Sequence, residues 1–479
     1  MTEWNFKMLM DGQLVDGDLS MDVVNPATGQ VFAMAPRASL AQLDRAVDAA
    51  RSAFPDWAAS GFAARNAVLL RLATAMEERF GDFSTLLTME QGKPVEEARF
   101  EVGGAIAALR YFAGLELQPT ILRDSAAERI TEHHLPLGVV AAITPWNFPL
   151  MLLMIKLAPA LIAGNTVIAK PAPTTPLTTL LLGMVAADIV PPGVFQTIVD
   201  ANDLGAALTA HPGIAHVSFT GSTATGKKVL ASSAGTLKRF TLELGGNDAA
   251  IVLDDVDMAV VAPAIYRAAM TNAGQICLAA KRVYVPRAGY RQLCDALASL
   301  AESAVVGDGL DPDTQIGPIQ NDMQYRRLLD YLDDARRTGT LLAGGHVLNR
   351  PGYFISPTIV GDIGDDARLV QEEQFGPILP VLPYDDLDDV IHRVNAGEYG
   401  LGGTIWTGDP VRGEAVALRI ESGTVWVNRH LDLPFDIAFG GAKQSGIGRQ
   451  QGLEGLLEFT QARIVNSNLL PLADPAHTE

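Results

Sequence analysis

Cysteine is almost missing from this chain: 479 residues hold two, Cys277 and Cys294. A disulfide framework is excluded by that number, and a reducing, cytoplasmic setting is expected. Positive charge is in deficit. There are 36 Lys and Arg against 55 Asp and Glu, for a net charge of −19. A field of that sign repels nucleic acid and anionic membrane surfaces, so neither is an expected partner. The N-terminal residues lack a basic segment followed by an apolar one, and no signal peptide is expected. The most apolar stretch, residues 148–164, is broken by Pro149, Lys156 and Pro159, which argues against a membrane span. The eight His are scattered without ligand spacing, so no metal site is expected. A G-x-S-x-G nucleophile elbow is also lacking, as are internal repeats.

What is present is a soluble globular composition, 48% hydrophobic and 19% charged, in a chain long enough for two or more domains. Residues 7–17 read as a hairpin turning at Asp11-Gly12, and Asn25-Pro26-Ala27-Thr28-Gly29 as a second turn. Helical spacing follows: a helix capped by Ser39, then 65–80 and 96–115. Residues 119–134 turn polar and extended around Asp124-Ser125. They read as a projecting hairpin whose apolar side needs cover, for which a partner subunit is the expected source.

From residue 138 the pattern alternates. Strands at 139–144, 166–169, 194–199, 216–220 and 240–244 are separated by helices at 150–162, 176–187, 204–210 and 223–232. Short buried strands alternating with helices predict a parallel, doubly wound sheet. Ligands in such sheets sit at the carboxyl ends of the strands. A second block has strands at 251–253, 282–285, 354–360, 378–382, 403–406 and 424–427, and helices at 258–269 and 290–302. A glycine-rich loop at 440–446 and a closing strand at 464–469 end the chain. The fold class is therefore α/β: a Rossmann-like domain (1–117 and 137–245), a second α/β domain (246–439) and a small β element for oligomerisation (118–136 and 440–479).

Several strand ends carry chemistry. Met270-Thr271-Asn272-Ala273-Gly274-Gln275-Ile276-Cys277-Leu278-Ala279 is apolar at both ends and polar between. Its thiol is a candidate nucleophile, although a lone cysteine is more often a small buried packing residue. Pro145-Trp146-Asn147-Phe148-Pro149 follows a buried strand, and two prolines fix that loop. Asn147 there is either an oxyanion donor or a turn residue capping the next helix. Lys170, before Pro171, ends another strand and reaches either a nucleotide or solvent. Phe219-Thr220-Gly221-Ser222 opens a helix whose N–H groups suit a pyrophosphate, though it is neither G-x-G-x-x-G nor a Walker loop. Glu243, in Glu243-Leu244-Gly245-Gly246, is either a buried base with a raised pKa or an ion-paired strand residue. Glu372-Glu373-Gln374-Phe375-Gly376-Pro377 offers a carboxylate for sugar hydroxyls and an aromatic ring. Cys294, beside Leu293 and Leu297 on a helix, is expected to pack.

These motifs occur together and in one order, which resembles the aldehyde dehydrogenase superfamily over residues 7–465. Phe439-Gly440-Gly441-Ala442-Lys443-Gln444-Ser445-Gly446 completes the set. The resemblance implies an NAD(P)-dependent oxidation of an aldehyde to a carboxylic acid. It implies Cys277 as nucleophile, Asn147 with the Cys277 N–H as oxyanion donors and Glu243 as the base for water. At the cofactor it implies Lys170 on the adenosine ribose, Ser222 with Gly221 at the pyrophosphate, Gly245 close by, Glu373 on the nicotinamide ribose, and Trp146 and Phe375 flanking the ring. Many NAD-preferring members carry Glu where this chain has Pro173, so NADP as well as NAD is expected to bind. Phe148, Ile276, Leu278, Leu433 and Phe439 match positions lining the substrate tunnel, which suggests an apolar aldehyde. Arg429 and His430 are either an anion-tolerant rim or a solvent-facing pair. A CoA-acylating relative and a non-catalytic nucleotide-binding scaffold are the alternatives. A homodimer or homotetramer is expected.

Overall fold

The computed structural model describes residues 4–470. Two parallel sheets carry the chain, each with its own core. The first runs in the order Gly446–Ile447, Arg239–Glu243, His216–Thr220, Val139–Ile143, Thr166–Lys170, Phe195–Thr197, parallel except for its two-residue first strand. Val139–Ile143 and Thr166–Lys170 are rich in Val, Ile and Ala, and they and His216–Thr220 are buried on both faces, as helices above and below require. The chain starts at Val139–Ile143, builds outward to Phe195–Thr197, then returns to the other side at His216–Thr220. That reversal opens a crevice at the carboxyl ends of the strands, where Asn147, Lys170, Ser222 and Glu243 lie.

The apolar stretch is a core helix, Pro149–Ala163. It starts with Pro at its first position, ends at Gly164 with φ 100°, and is buried nearly all round. Lys156 within it is fully buried. The second sheet runs Thr340–Ala343, Thr358–Gly361, Ile378–Tyr384, Arg282–Pro286, Ala249–Val252, Gly402–Trp406, Thr424–Val427, parallel but for the first. Cys294 packs in its core, as expected. Among the described residues no helix is long and apolar enough to cross a membrane.

The two N-terminal turns close hairpins, Met8–Met10 with Gln13–Val15 and Leu19–Asn25 with Gln30–Arg37. Residues 65–80 divide otherwise than expected. One helix, Gly61–Glu78, breaks at Arg79 and a second, Phe80–Gln91, follows. The highly charged helix Asp322–Thr338 has no counterpart in the sequence reading. The projecting hairpin is Thr120–Asp124 with Glu128–Pro136, extended by Thr460–Asn468 into a three-stranded antiparallel sheet. Just before that last strand, Leu456 and Phe459 enter the first core, and Phe459 lies 5.0 Å from the ring of His216. The chain's end therefore clips a sheet built some two hundred residues earlier. Phe459→Ala should leave a void there and cost about 3–5 kcal/mol, read as a lower urea midpoint. An unchanged midpoint would show that this end contributes nothing to the first core.

Candidate active site

The cysteine loop is held in an unfavourable shape. After helix Met258–Met270 the chain turns through Asn272, Ala273 and Gly274 with φ of 53°, 53° and 70°. Left-handed backbone at two non-glycine residues costs about 1–3 kcal/mol each and persists only where neighbours fix it. They do so here. Asn272 N donates to the Glu97 carboxylate (3.0 Å), its Oδ1 accepts from Gln91 Nε2 (3.0 Å), and its Nδ2 donates to the Asn147 carbonyl (3.2 Å). Gln275 Nε2 donates back to Asn272 O (2.9 Å), while Gln275 Oε1 accepts from Gln320 N (2.9 Å). Gly274 has no room for a side chain, since a Cβ would collide with the Gly376 carbonyl.

This turn brings the loop to the carboxyl end of the first sheet. Asn147 Nδ2 donates to the carbonyl of Gln275 at 2.9 Å, and Gln275 precedes Cys277 by two residues, a reach of at most about 7 Å. The amide is 3% exposed. It does not cap the following helix, because the Leu150 and Met151 N–H groups donate instead to Glu101 Oε1 at 2.9 and 3.2 Å. Lys93 Nζ pairs with Glu101 Oε2 (2.6 Å), donates to the Asn147 carbonyl (2.9 Å) and lies 3.6 Å from the Phe148 ring centre.

Glu243 is 4% exposed and neither of its carboxylate oxygens has a hydrogen-bond partner among the described residues. Burial pushes its pKa up to about 8, opposed by the Lys156 charge. Lys156, pushed down to about 7 by its own burial, donates to Thr220 Oγ1 at 2.7 Å, and Thr220 is the cross-strand partner of Glu243. Cys277 is half-buried. Burial pushes its thiol up to about 12; Lys281 opposes the shift, and Glu373, Asp248 and Glu243 add to it. The thiol thus rests protonated, beside a carboxyl group that ionises near neutral pH. A Cβ on Gly246 would lie 2.8 Å from the Cys277 carbonyl, so the strand end after Glu243 abuts the cysteine loop.

The expected cofactor residues line the same crevice. Lys170 is buried rather than solvated, and its Nζ sits 2.6 Å from Asp200 Oδ1. Pro173 is half-buried in the turn after it. Ser222 is exposed and caps helix Thr223–Ser233 through Thr225 N (3.3 Å). Gly221 is set against Phe219, where a Cβ would lie 2.6 Å from the ring, and a Cβ on Gly245 would lie 2.6 Å from Glu373 Oε2. Glu373 Oε1 accepts from Gly246 N at 3.0 Å, and the Trp146 and Phe375 rings meet edge to face at 5.3 Å. A buried cation, an exposed helix N-terminus, two glycines without room for side chains and a carboxylate suit an extended dinucleotide.

An apolar cluster surrounds Cys277: Ile276, Leu278, Trp426 and Phe439 are buried there, with Phe148 and Leu433 packed against them. His430 belongs beside it. Its Nε2 is 2.6 Å from the Leu278 carbonyl and its ring is 4.9 Å from that of Trp426. Burial pushes its pKa down to about 4, so it is neutral. Arg429 does not join the cluster; its exposed guanidinium pairs with Asp432.

The Aldehyde dehydrogenase family pattern matches residues 14–465. Aldehyde dehydrogenase LUC3 of Fusarium sp is 40% identical, covering 96% of this chain and 98% of that protein. Betaine aldehyde dehydrogenase of Rhizobium etli is 37% identical over 94% of each. The NAD+ complex of an aldehyde dehydrogenase from Bacillus cereus superposes with a TM-score of 0.95 at 36% identity, covering 98% of this chain and 97% of that one. The chain belongs to the aldehyde dehydrogenase family and has its fold; it is an enzyme that oxidises an aldehyde to the acid with a nicotinamide cofactor.

Sequence reasoning missed Lys93, Glu101, Lys156, Asp200, Asp248, Lys281 and Trp426. A charged residue reads as surface from sequence and only the tertiary structure buries it, while Trp426 reads as an ordinary strand residue. Two predictions rest on this geometry. Gly274→Ala should lower both the thermal midpoint and activity, because the left-handed φ and the Gly376 carbonyl both oppose a Cβ; wild-type values would contradict the close approach. For Glu243, the native state keeps a proton that the unfolded chain, at its ordinary 4.5, has lost. Stability is therefore lost as pH rises from about 5 through about 8. Glu243→Gln should outlast the wild type by a margin that widens over that window and is constant above it. A margin independent of pH would refute the raised pKa.

Proposed function

We propose that Cys277, Asn147 and Glu243 perform the oxidation as follows. The observation that carries this reading is the Asn147 Nδ2 bond to the carbonyl two residues before Cys277, with a Glu243 carboxylate that has no partner among the described residues on the strand whose end abuts the cysteine loop. The Cys277 thiol gives its proton to solvent water, and the sulfur adds to the aldehyde carbon. The tetrahedral thiohemiacetal bears an oxyanion, which the second Asn147 Nδ2 hydrogen and the Cys277 N–H stabilise. A bound nicotinamide supplies the acceptor for the hydride that leaves this carbon, and a thioester on Cys277 results. Glu243 deprotonates a water molecule, which attacks the thioester; the C–S bond breaks, the sulfur takes that proton back from Glu243, and the acid departs. A carboxylate in this place favours hydrolysis over transfer to CoA.

The aldehyde is apolar and uncharged in this reading. The side chains around Cys277 are mostly apolar and none of those in the cluster is charged, and the Lys93 ammonium over the Phe148 ring opposes a second cation on that aromatic. On the cofactor side, Pro173 places no carboxylate against a 2′-phosphate, so both NAD and NADP are accepted. Asp200 beside Lys170 is the remaining negative charge that limits NADP. Thr460–Asn468 is a mostly exposed strand with Ile464 and Val465 facing out. It joins a second subunit in a homodimer or homotetramer. In this reading 1–117 and 137–245 form the cofactor-binding domain, 246–439 the catalytic domain and 118–136 with 440–479 the oligomerisation element, of which 446–459 packs on the cofactor-binding domain. A reducing, cytoplasmic setting suits a free thiol nucleophile.

Cys277→Ser should abolish NADH formation. Glu243→Gln should release at most one NADH per subunit quickly and then turn over about 10²–10⁴-fold more slowly. Full steady-state turnover by either variant would overturn the assignment. Asp200→Asn keeps the cap on Leu204 N (2.9 Å) but removes the charge. It should tighten 2′-phosphorylated nucleotide binding about tenfold relative to NAD, measured calorimetrically; an unchanged ratio would dismiss Asp200.

A further inference from the structure

Lys281 is the charged group nearest the reacting atoms that the mechanism above leaves idle. It is 1% exposed. Its Nζ donates to the carbonyl of Ile276, to that of Cys277 at 3.3 Å and to that of Ala279 at 3.4 Å. An ammonium has three hydrogens, and here each carbonyl comes from the cysteine loop itself. The loop is wrapped around this one cation.

The first of these bonds has a directional consequence. The Ile276 carbonyl and the Cys277 N–H belong to one planar trans peptide, so they point in opposite directions. Fixing the carbonyl on Lys281, with a second bond from Ala279 N at 3.1 Å, turns the Cys277 N–H away from the loop's interior. That N–H donates to no group among the described residues. A backbone N–H without a protein partner is free to meet a ligand, and this one belongs to the residue that carries the thiol.

Resting on the assignment of Cys277 as nucleophile, we propose that Lys281 is a positioning residue that aims the Cys277 N–H at the oxyanion and steadies the adjacent thiolate by its charge. Among the charges that act on the thiol, Lys281 favours the thiolate, and Glu373, Asp248 and Glu243 disfavour it. The charges of Glu373 and of Asp248, whose Oδ1 accepts from Gly402 N at 3.0 Å, favour the ammonium form of Lys281 without pairing with it directly. The lysine supplies three hydrogen bonds and the only opposing charge, so glutamine and methionine separate the two contributions.

The test uses the full-length enzyme on a Cys294→Ala background, where Cys277 is the single thiol. The rate of alkylation by iodoacetamide is followed against pH, and kcat and KM are measured in parallel. Lys281→Met should slow alkylation at pH 8 about tenfold, one unit of thiol pKa. It should also lower kcat by about 10²–10³, the size of a lost oxyanion donor, with KM little changed. Lys281→Gln should show the same alkylation shift but recover part of kcat, because the amide still donates to the Ile276 carbonyl. If the methionine variant fails to fold, the glutamine variant decides alone. A wild-type alkylation profile in the folded variants would overturn the charge role, and a wild-type kcat in Lys281→Met the aiming role. Cys277→Ser is the control: if it stays active, the assignment of the nucleophile fails; if it is inactive while Lys281→Met is normal, only this proposal fails.

Discussion

One hydrogen bond joins the two halves of this enzyme's chemistry. Asn147 comes from the end of a strand in the first sheet, and Gln275 from the turn that leaves the second core; their 2.9 Å bond sets the cysteine beside the crevice. Nothing local in either segment dictates that meeting. It depends on anchors from a third region. Lys93 and Glu101, reached through helices Phe80–Gln91 and Val95–Ala113, fix the Asn147 carbonyl and the start of the following helix. Gln91 and Glu97 fix Asn272. The strained turn before the cysteine is stable because these partners over-determine it, and a loop so held gives little when a substrate binds.

The electrostatics follow from burial. Glu243, Asp248, Lys156 and Lys281 are all withdrawn from water. Each carboxyl is pushed upward and each ammonium downward, toward neutral forms. In such surroundings a proton moves between sulfur, carboxylate and water with little change in solvation. The same withdrawal makes a developing oxyanion costly unless aimed donors meet it, which gives the amide of Asn147 and the N–H of Cys277 their leverage. The pair between Lys170 and Asp200 applies the same rule to the cofactor end: a buried charge is kept only with its opposite.

Much of the scaffold was legible in the sequence because its signals are local. Val139–Ile143 is an unbroken apolar run and Thr166–Lys170 holds another, Val-Ile-Ala, between helical segments, and the motif residues lie at the ends of such strands. Asn147, Glu243 and Cys277 could each be named, yet each had an ordinary alternative until their order along the chain set them together. Helix Asp322–Thr338 escaped notice because its polar face is so highly charged that no apolar run marks it. The break at Arg79 left no mark either, as the apolar spacing continues across it. Lys93, Lys156 and Lys281 could not be found, since a lysine's burial is a property of what folds over it. Arg429 shows the reverse: it lies close in sequence to pocket residues, but its own turn pairs it with Asp432 at the surface.

The central claim is that the carbon being oxidised is covalently held by Cys277. Intact-mass analysis of Glu243→Gln enzyme, quenched after mixing with an aldehyde and NAD, tests it most directly. The account predicts a subunit heavier by the aldehyde's mass less two hydrogens, with the acyl group mapped to the peptide containing Cys277. NADH formed at full stoichiometry with no adduct on that peptide would contradict it.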